Sequence, residues 1–557
     1  MLRTLFLILI ATFMLSGRGI SLKEIKSYPK SIAKDFYIWQ FLQQSWVSKE
    51  SAEQVYKQVY RKTTKIRKAF KKRGGVEQIQ YKKCKILSIQ SILNQKHPID
   101  CVKQNLTPKR VYLLEGKSVG KLIKKFNKID KNLSLLLKAV YYSQDIEKTL
   151  YANPEIYLNI FLYGGSKVRA NKTINKELSI VFMQKLTKYP KKFERFVANI
   201  LAYSDKFQPL RRSILKLQPS NSIRVKTMFA LAFNLIKHGK KDKAIRFLKL
   251  AKQNSWYQID KDTASFWLYL TTKDKSHLNI LLTSWDINIY TIYAREELKK
   301  GFASNILYQT KFYTFNSNFS PKIDISNPFD WIKTKREILK YQKEDKTGKK
   351  LLDFANFFKT DKNSGAYFYI MERGYKFKKQ SFPTPYQQYL NSQKVKDKAL
   401  IYAIARQESR FIPSSISTAY ALGMMQIMPF LIKDIAKRKN EKIELENMFN
   451  PIKNLEYSIY HLKDLKKQFI SPLFIAYAYN GGGGFTRRML KSGSFSKGEF
   501  EPFLSMETLS FYETRKYGKK VLANYIVYRR LLGNPVTLHH LLSDLTIPVQ
   551  SDYIRKR

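Results

Sequence analysis

The stretch IYAIARQESRFIPSSISTAYALGMMQ, residues 401–426, decides how this chain is read. It begins as a buried helix, because Ile401, Ile404 and Ala405 recur at the three-and-four spacing that gathers side chains on one apolar face. That face runs on to Glu408. Burying an ionised carboxylate costs several kcal/mol, so a carboxylate that continues an apolar stripe either finds partners or keeps its proton. A kept proton makes a general acid. The plain alternative is a boundary carboxylate that reaches solvent past the helix end.

Working outward, the same periodicity predicts helices near 430–438, 451–468, 473–479 and 515–532. The run Phe382-Pro383-Thr384-Pro385 marks the start of this domain, since the residue before each proline resists helix. Before it, 330–358 and 367–375 read as helical and form a small linker domain, separated from what precedes by a break between Gly301 and Pro328. From Pro29 to about Gly301 the chain reads as successive amphipathic helices, clearest at 225–236 and 242–251, where His238-Gly239 supplies the stop between two arms of an αα-hairpin. Further pairs at 266–270 and 278–285 predict stacked hairpins without a strict repeat. Trp256, Trp267 and Trp285 are assigned to the core, with the inside of the curve as the alternative for some of them. No stretch alternates as a large sheet requires, so the fold class is all-α.

The N-terminal residues 1–3 followed by the apolar run 5–15 match a secretory signal, and the run is too short for an ordinary membrane span. Two cysteines, Cys84 and Cys101, are compatible with one disulfide in an exported chain; two unpaired buried thiols are the alternative. They form no C-x-x-C pair, and soft ligands are too few for structural zinc. The 102 Lys and Arg against 43 Asp and Glu give a formal net charge of +59. Such a surface favours polyanions, whether nucleic acid, anionic lipid or a carboxylate-bearing cell-wall polymer, and charge alone does not choose among them. No nucleic-acid module is present, and export speaks against nucleic acid as partner.

Four short motifs narrow the choice. Glu408-Ser409, Gly423-Met424-Met425-Gln426, Ala478-Tyr479-Asn480, and Glu513-Thr514-Arg515 with Tyr517 resemble, in order and spacing, the motifs of the soluble lytic transglycosylases, which cleave peptidoglycan with a lysozyme-like domain. The resemblance covers roughly 383–532. Met424 stands where the family usually has Leu, which keeps volume and apolar character. Gly481 replaces the usual Ala and opens the run Gly481–Gly484, which predicts a looser loop.

Most glycosidases use two carboxylates. Between Glu408 and Tyr479 the first other acid is Asp434, and none stands out as a partner. The resemblance implies that the substrate's own N-acetyl carbonyl is the nucleophile and that its 6-hydroxyl then displaces it, giving a 1,6-anhydro sugar, with Glu408 as acid and then base. It further implies substrate contacts for Ser417, Met425, Gln426, Tyr479, Asn480 and Glu513, with Tyr479 orienting the carboxyl or the acetamido group. Tyr517 is assigned to the core, and a turn role is the alternative for Ser417. The implied division is a signal peptide at 1–19, an α-superhelical, ring-like domain at 20–326, a linker domain at 327–382, a lysozyme-like catalytic domain at 383–545 and a tail at 546–557. The implied protein is a periplasmic monomer of a Gram-negative bacterium, peripheral to the membrane at most, needing no metal or cofactor, with glycan strands as substrate and other cell-wall enzymes as candidate partners. The alternatives are a goose-type-lysozyme-like hydrolase and a non-catalytic basic scaffold.

Overall fold

Local signals build the N-terminal array one hairpin at a time. Helix Val225–Lys237 stops at Gly239, which takes φ +70°, and its N–H donates to the Ile236 carbonyl (3.0 Å) while Lys240 N–H donates to that of Leu235 (2.9 Å). These two bonds satisfy carbonyls that a helix end leaves open. The returning helix, Lys241–Asn254, buries Ala244, Phe247, Leu248 and Ala251, and Gln258–Thr272 packs next with every residue from Asp262 to Leu270 buried. Trp267 is wholly inside this core. Trp256 and Trp285, in contrast, are 89 % and 39 % exposed, which corrects their assignment to the core. Both stand in connections between helices, where no periodic stripe dictates burial.

The computed structural model describes residues 20–555 apart from 77–79, 82–83, 95–96, 112, 142–150, 152, 171, 204–205, 309–322 and 361. The charged and apolar start at 1–19 lies outside the described residues, as does Pro321 in the break before the linker. Among the described residues the fold is all-α: the strands are two-residue pieces, Gln80–Tyr81 with Cys84–Lys85 and Ile306–Leu307 with Gln380–Ser381. Cys84 and Cys101 are disulfide-bonded, with Cα atoms 5.3 Å apart.

The linker has a core of its own, built on Trp331, Ile338, Leu351 and Phe358, to which the C-terminal domain lends Ile412. The single helix anticipated over 330–358 is two, Pro328–Glu344 and Lys349–Ala355, because Gly348 takes φ +91° against the Gly374 carbonyl, where a Cβ would come within 2.2 Å. Helix Val395–Glu408 then runs through the middle of the C-terminal domain, packed on Tyr512–Leu531. It is buried on all sides from Ala399 to Arg406 rather than along one stripe.

The array meets this domain at both of its ends, so the chain closes into a ring. Near the start, Phe36 packs on Tyr420 and Phe449 (centroids 5.9 and 6.3 Å), and Gln40 Nε2 donates to Glu446 Oε1 (2.6 Å). Near the end of the array, Phe266 packs on Phe503 (4.5 Å), and Lys519 Nζ bridges Glu507 Oε1 (2.6 Å) and Tyr290 Oη (2.8 Å).

Candidate active site

Glu408 is the last residue of the buried Val395–Glu408 helix. Beyond it Arg410 and Phe411 both take left-handed φ (60° and 65°), and the chain turns away, leaving the carboxyl at the rim of the core. Burial pushes its pKa from 4.5 up to about 7. Against that, Tyr517 Oη donates to Oε1 at 2.7 Å and favours the ionised form, while the charge of Glu513 adds to the upward push. Glu513 and Tyr517 lie four residues apart on helix Tyr512–Leu531 and share a face, Glu513 exposed and Tyr517 buried.

The loop after Glu408 is fixed by groups that the motifs contain. Ser409 Oγ donates to the Met424 carbonyl (2.7 Å) and accepts from Ile412 N–H (3.0 Å), tying the helix end to the Gly423–Gln426 turn. Gly423 takes φ +79°, and a Cβ there would come within 2.2 Å of the Met448 carbonyl and 2.3 Å of Asn454 Nδ2. The wholly buried Asn454 accepts from Met425 N–H (2.7 Å) and donates to the Leu422 carbonyl (3.2 Å). Gln426, at φ 51°, spends its amide N–H groups on the carbonyls of Ser415 (3.0 Å) and Gly423 (2.8 Å).

Several anticipated contacts change place. Met425 is 0 % exposed, so its side chain belongs to the core and does not line a groove. Its carbonyl accepts from Tyr479 Oη at 2.7 Å, which means that Tyr479 steadies the loop while Tyr517 holds the carboxyl. Tyr517 is core by its ring and site by its hydroxyl; its place after Glu513 at helical spacing was the available signal. Ser417 Oγ accepts from the N–H groups of Ala421 (2.9 Å) and Ala419 (3.2 Å), the turn role. Asn480 Oδ1 accepts from Thr514 Oγ1 (2.8 Å), which joins the two helices that flank Glu408. Gly481 does not loosen a loop: it ends helix Pro472–Gly481 against Thr514, whose Oγ1 would meet an added Cβ at 2.8 Å. Ser409 was read only as part of its motif and Asn454 not at all, because their partners are backbone groups that a sequence does not display.

Comparison with known proteins adds to this geometry. The family model described as "Transglycosylase SLT domain" matches residues 385–499. Those residues are similar to a transglycosylase SLT domain. The soluble lytic murein transglycosylase of Escherichia coli K12 is 34 % identical over 139 residues, 24 % of this chain and 21 % of its own length. Membrane-bound lytic murein transglycosylase C of Mannheimia succiniciproducens is 33 % identical over 107 residues, 17 % of this chain and 30 % of its own length. The chain thus spans less than a third of the length of these relatives. Among solved structures, an inactive mutant of the lytic transglycosylase Slt of Pseudomonas aeruginosa aligns over 92 % of this chain and 84 % of its own, at 14 % identity and a TM-score of 0.47.

Glu513 and Tyr517 lie beyond the matched SLT residues, yet their helix completes the site. The C-terminal domain is also clamped to the linker: Glu372, 2 % exposed, accepts from Arg406 (3.2 Å) and Arg410 (2.9 Å), which bracket Glu408. A cavity of about 410 Å³ opens between the array and the C-terminal domain, lined by Arg410, Arg515, Lys516 and Lys520 on one side and by Lys226 and Asp260 on the other. Among the described residues no group of His, Cys, Asp or Glu is placed to hold a metal ion, and no helix is long and apolar enough to cross a membrane.

Proposed function

We propose that the chain is a lytic transglycosylase that cleaves the β-1,4 bond between N-acetylmuramic acid and N-acetylglucosamine in peptidoglycan. The observation that carries this reading is one desolvated carboxyl, Glu408, whose pKa of about 7 suits a group that must give a proton and then take one. In the first step Glu408 protonates the glycosidic oxygen as the C1–O bond breaks and the acetamido carbonyl oxygen bonds to C1. In the second, the Glu408 carboxylate takes the proton of the 6-hydroxyl, whose oxygen displaces the acetamido oxygen at C1. The 1,6-anhydro ring is closed and the acid is restored.

Tyr517 holds the carboxyl in place through both steps. We assign sugar contacts to Gln426, Asn480, Tyr479, Ser417 and Glu513, whose polar groups suit hydroxyl and acetamido partners, and the basic cavity suits the carboxylates of stem peptides. The charge of Glu513 near Glu408 favours one second reading, hydrolysis with a second carboxylate acting on water. We place the enzyme outside the cytoplasmic membrane of a Gram-negative cell, on the strength of the apolar start at 1–19 and the relatives' names, with its array at 20–326, linker at 327–382 and catalytic domain at 383–545. The test is Glu408→Gln in the full chain, assayed on purified sacculi. Cleavage should vanish while sacculus binding persists; full activity would place the acid elsewhere.

A further inference from the structure

The loop that carries Gly423 and Gln426 has a far end, and the C-terminal domain does not hold that end alone. Between Ser417 and Ala421 the chain makes a tight turn in which Tyr420 N–H donates to the Ser417 carbonyl (2.9 Å) and Tyr420 takes φ +61°. A bulky residue enters that left-handed region only where its surroundings fix it. The surroundings come from the other end of the chain. The Tyr420 ring is fully buried, against Trp39 at 5.4 Å and edge-on to Phe36 at 5.9 Å. Lys65 Nζ donates to the Ala419 carbonyl (2.6 Å) and lies 5.7 Å from the ring centres of both Trp39 and Tyr420.

The near end of the same loop reaches the site. Ile416 bridges to Leu422, Gly423 N–H donates to the Ser415 carbonyl (2.9 Å), and Gln426 Nε2 donates to the same carbonyl (3.0 Å). The two residues between, Met424 and Met425, offer the carbonyls that hold Ser409 and Tyr479. A displaced turn therefore displaces the groups beside Glu408.

We propose that the helices Ile32–Phe41 and Thr64–Lys72 position the active-site loop, with Tyr420 as a positioning residue seated in a socket of Phe36, Trp39 and Lys65. This rests on the reading of Glu408 as the catalytic acid. On this account the ring closure is part of the catalytic framework.

The test uses the full chain and three variants, Tyr420→Ala, Phe36→Ala and Tyr420→Phe, with soluble glycan strands as substrate and kcat and KM measured separately. A loop misplaced beside the acid should lower kcat about 10- to 100-fold in Tyr420→Ala and Phe36→Ala. KM should change less than kcat, because Asn480 and Glu513 lie outside the loop and only Ser417 and Gln426 move with it. Tyr420→Phe keeps the ring in its socket and should restore kcat to within about threefold. Amide hydrogen exchange should quicken over 415–427 in Phe36→Ala, although that residue belongs to the array. Wild-type kcat and unchanged exchange in Phe36→Ala would overturn the proposal, as would a Tyr420→Phe variant as impaired as Tyr420→Ala. The exchange measurement needs no activity, so an active Glu408→Gln would sink the catalytic reading without being mistaken for a failure here.

Discussion

Two neighbours pull the acidity of Glu408 in opposite directions, and this can be tested one side chain at a time. Tyr517→Phe removes a donor that favours the carboxylate, worth about 1.5–3 kcal/mol for a bond to a charged group, so the pH profile of cleavage should move up by about one to two units. Glu513→Gln removes a nearby negative charge and should move it down, by roughly half a unit or less, because Glu513 is exposed and water screens it. Shifts of the same sign would refute this description of the site. A stability effect follows from the same raised pKa. The folded chain keeps the Glu408 proton up to about pH 7, whereas the unfolded chain loses it near the ordinary value of 4.5. Stability is therefore given up as pH rises between those values, by roughly 3 kcal/mol at most. Glu408→Gln should melt higher than the native chain at pH 8 and equally at pH 4, as thermal unfolding at the two pH values would show. The anomaly of Glu408 was legible in the sequence as a carboxylate closing an apolar run. Its partner was not, because Tyr517 packs like any core tyrosine and only its hydroxyl tip meets the acid.

At the scale of elements, two glycines separate what backbone can and cannot absorb. Gly423→Ala places a Cβ against a backbone carbonyl at positive φ, with nothing able to yield, and should cost about 3 kcal/mol or more together with the Met424–Gln426 geometry. Gly481→Ala is milder, since alanine gains about 1 kcal/mol in a helix while crowding of the Thr514 side chain costs about 1–3. A net loss of roughly 1 kcal/mol should follow, and Thr514→Ala, which removes both crowding atoms, should couple favourably to it, as urea unfolding of the single and double variants would measure. The sequence marked the helices and the Gly423 motif well, because periodicity and glycine are local signals. It presented Gly481 as slack and the Val395–Glu408 helix as a one-sided stripe. Both readings missed neighbours from distant segments: Thr514 fills the space beside Gly481, and the Tyr512–Leu531 helix covers the side of the central helix that pattern alone left open.

For the whole molecule, the hairpins were legible and the ring closure was not, since closure depends on pairs such as Phe36–Tyr420 and Phe266–Phe503 that no local pattern announces. The second of these seams also holds a buried charge. Glu507, 5 % exposed, is paired with Lys519 and Tyr290, and Lys519→Met should cost about 3 kcal/mol by taking away its bonded cation and leaving Arg515 as the neighbouring charge. A denaturation midpoint close to that of the native chain would show that the seam contributes little to holding the ring. The central claim concerns one acid and a nucleophile supplied by the substrate, and the product records it directly. Mass spectrometry of the muropeptides released from purified sacculi by the full chain should find ends one water lighter than the reducing sugar, the 1,6-anhydro form. Release of reducing ends alone would mean that water, and not the substrate's own hydroxyl, completes the reaction.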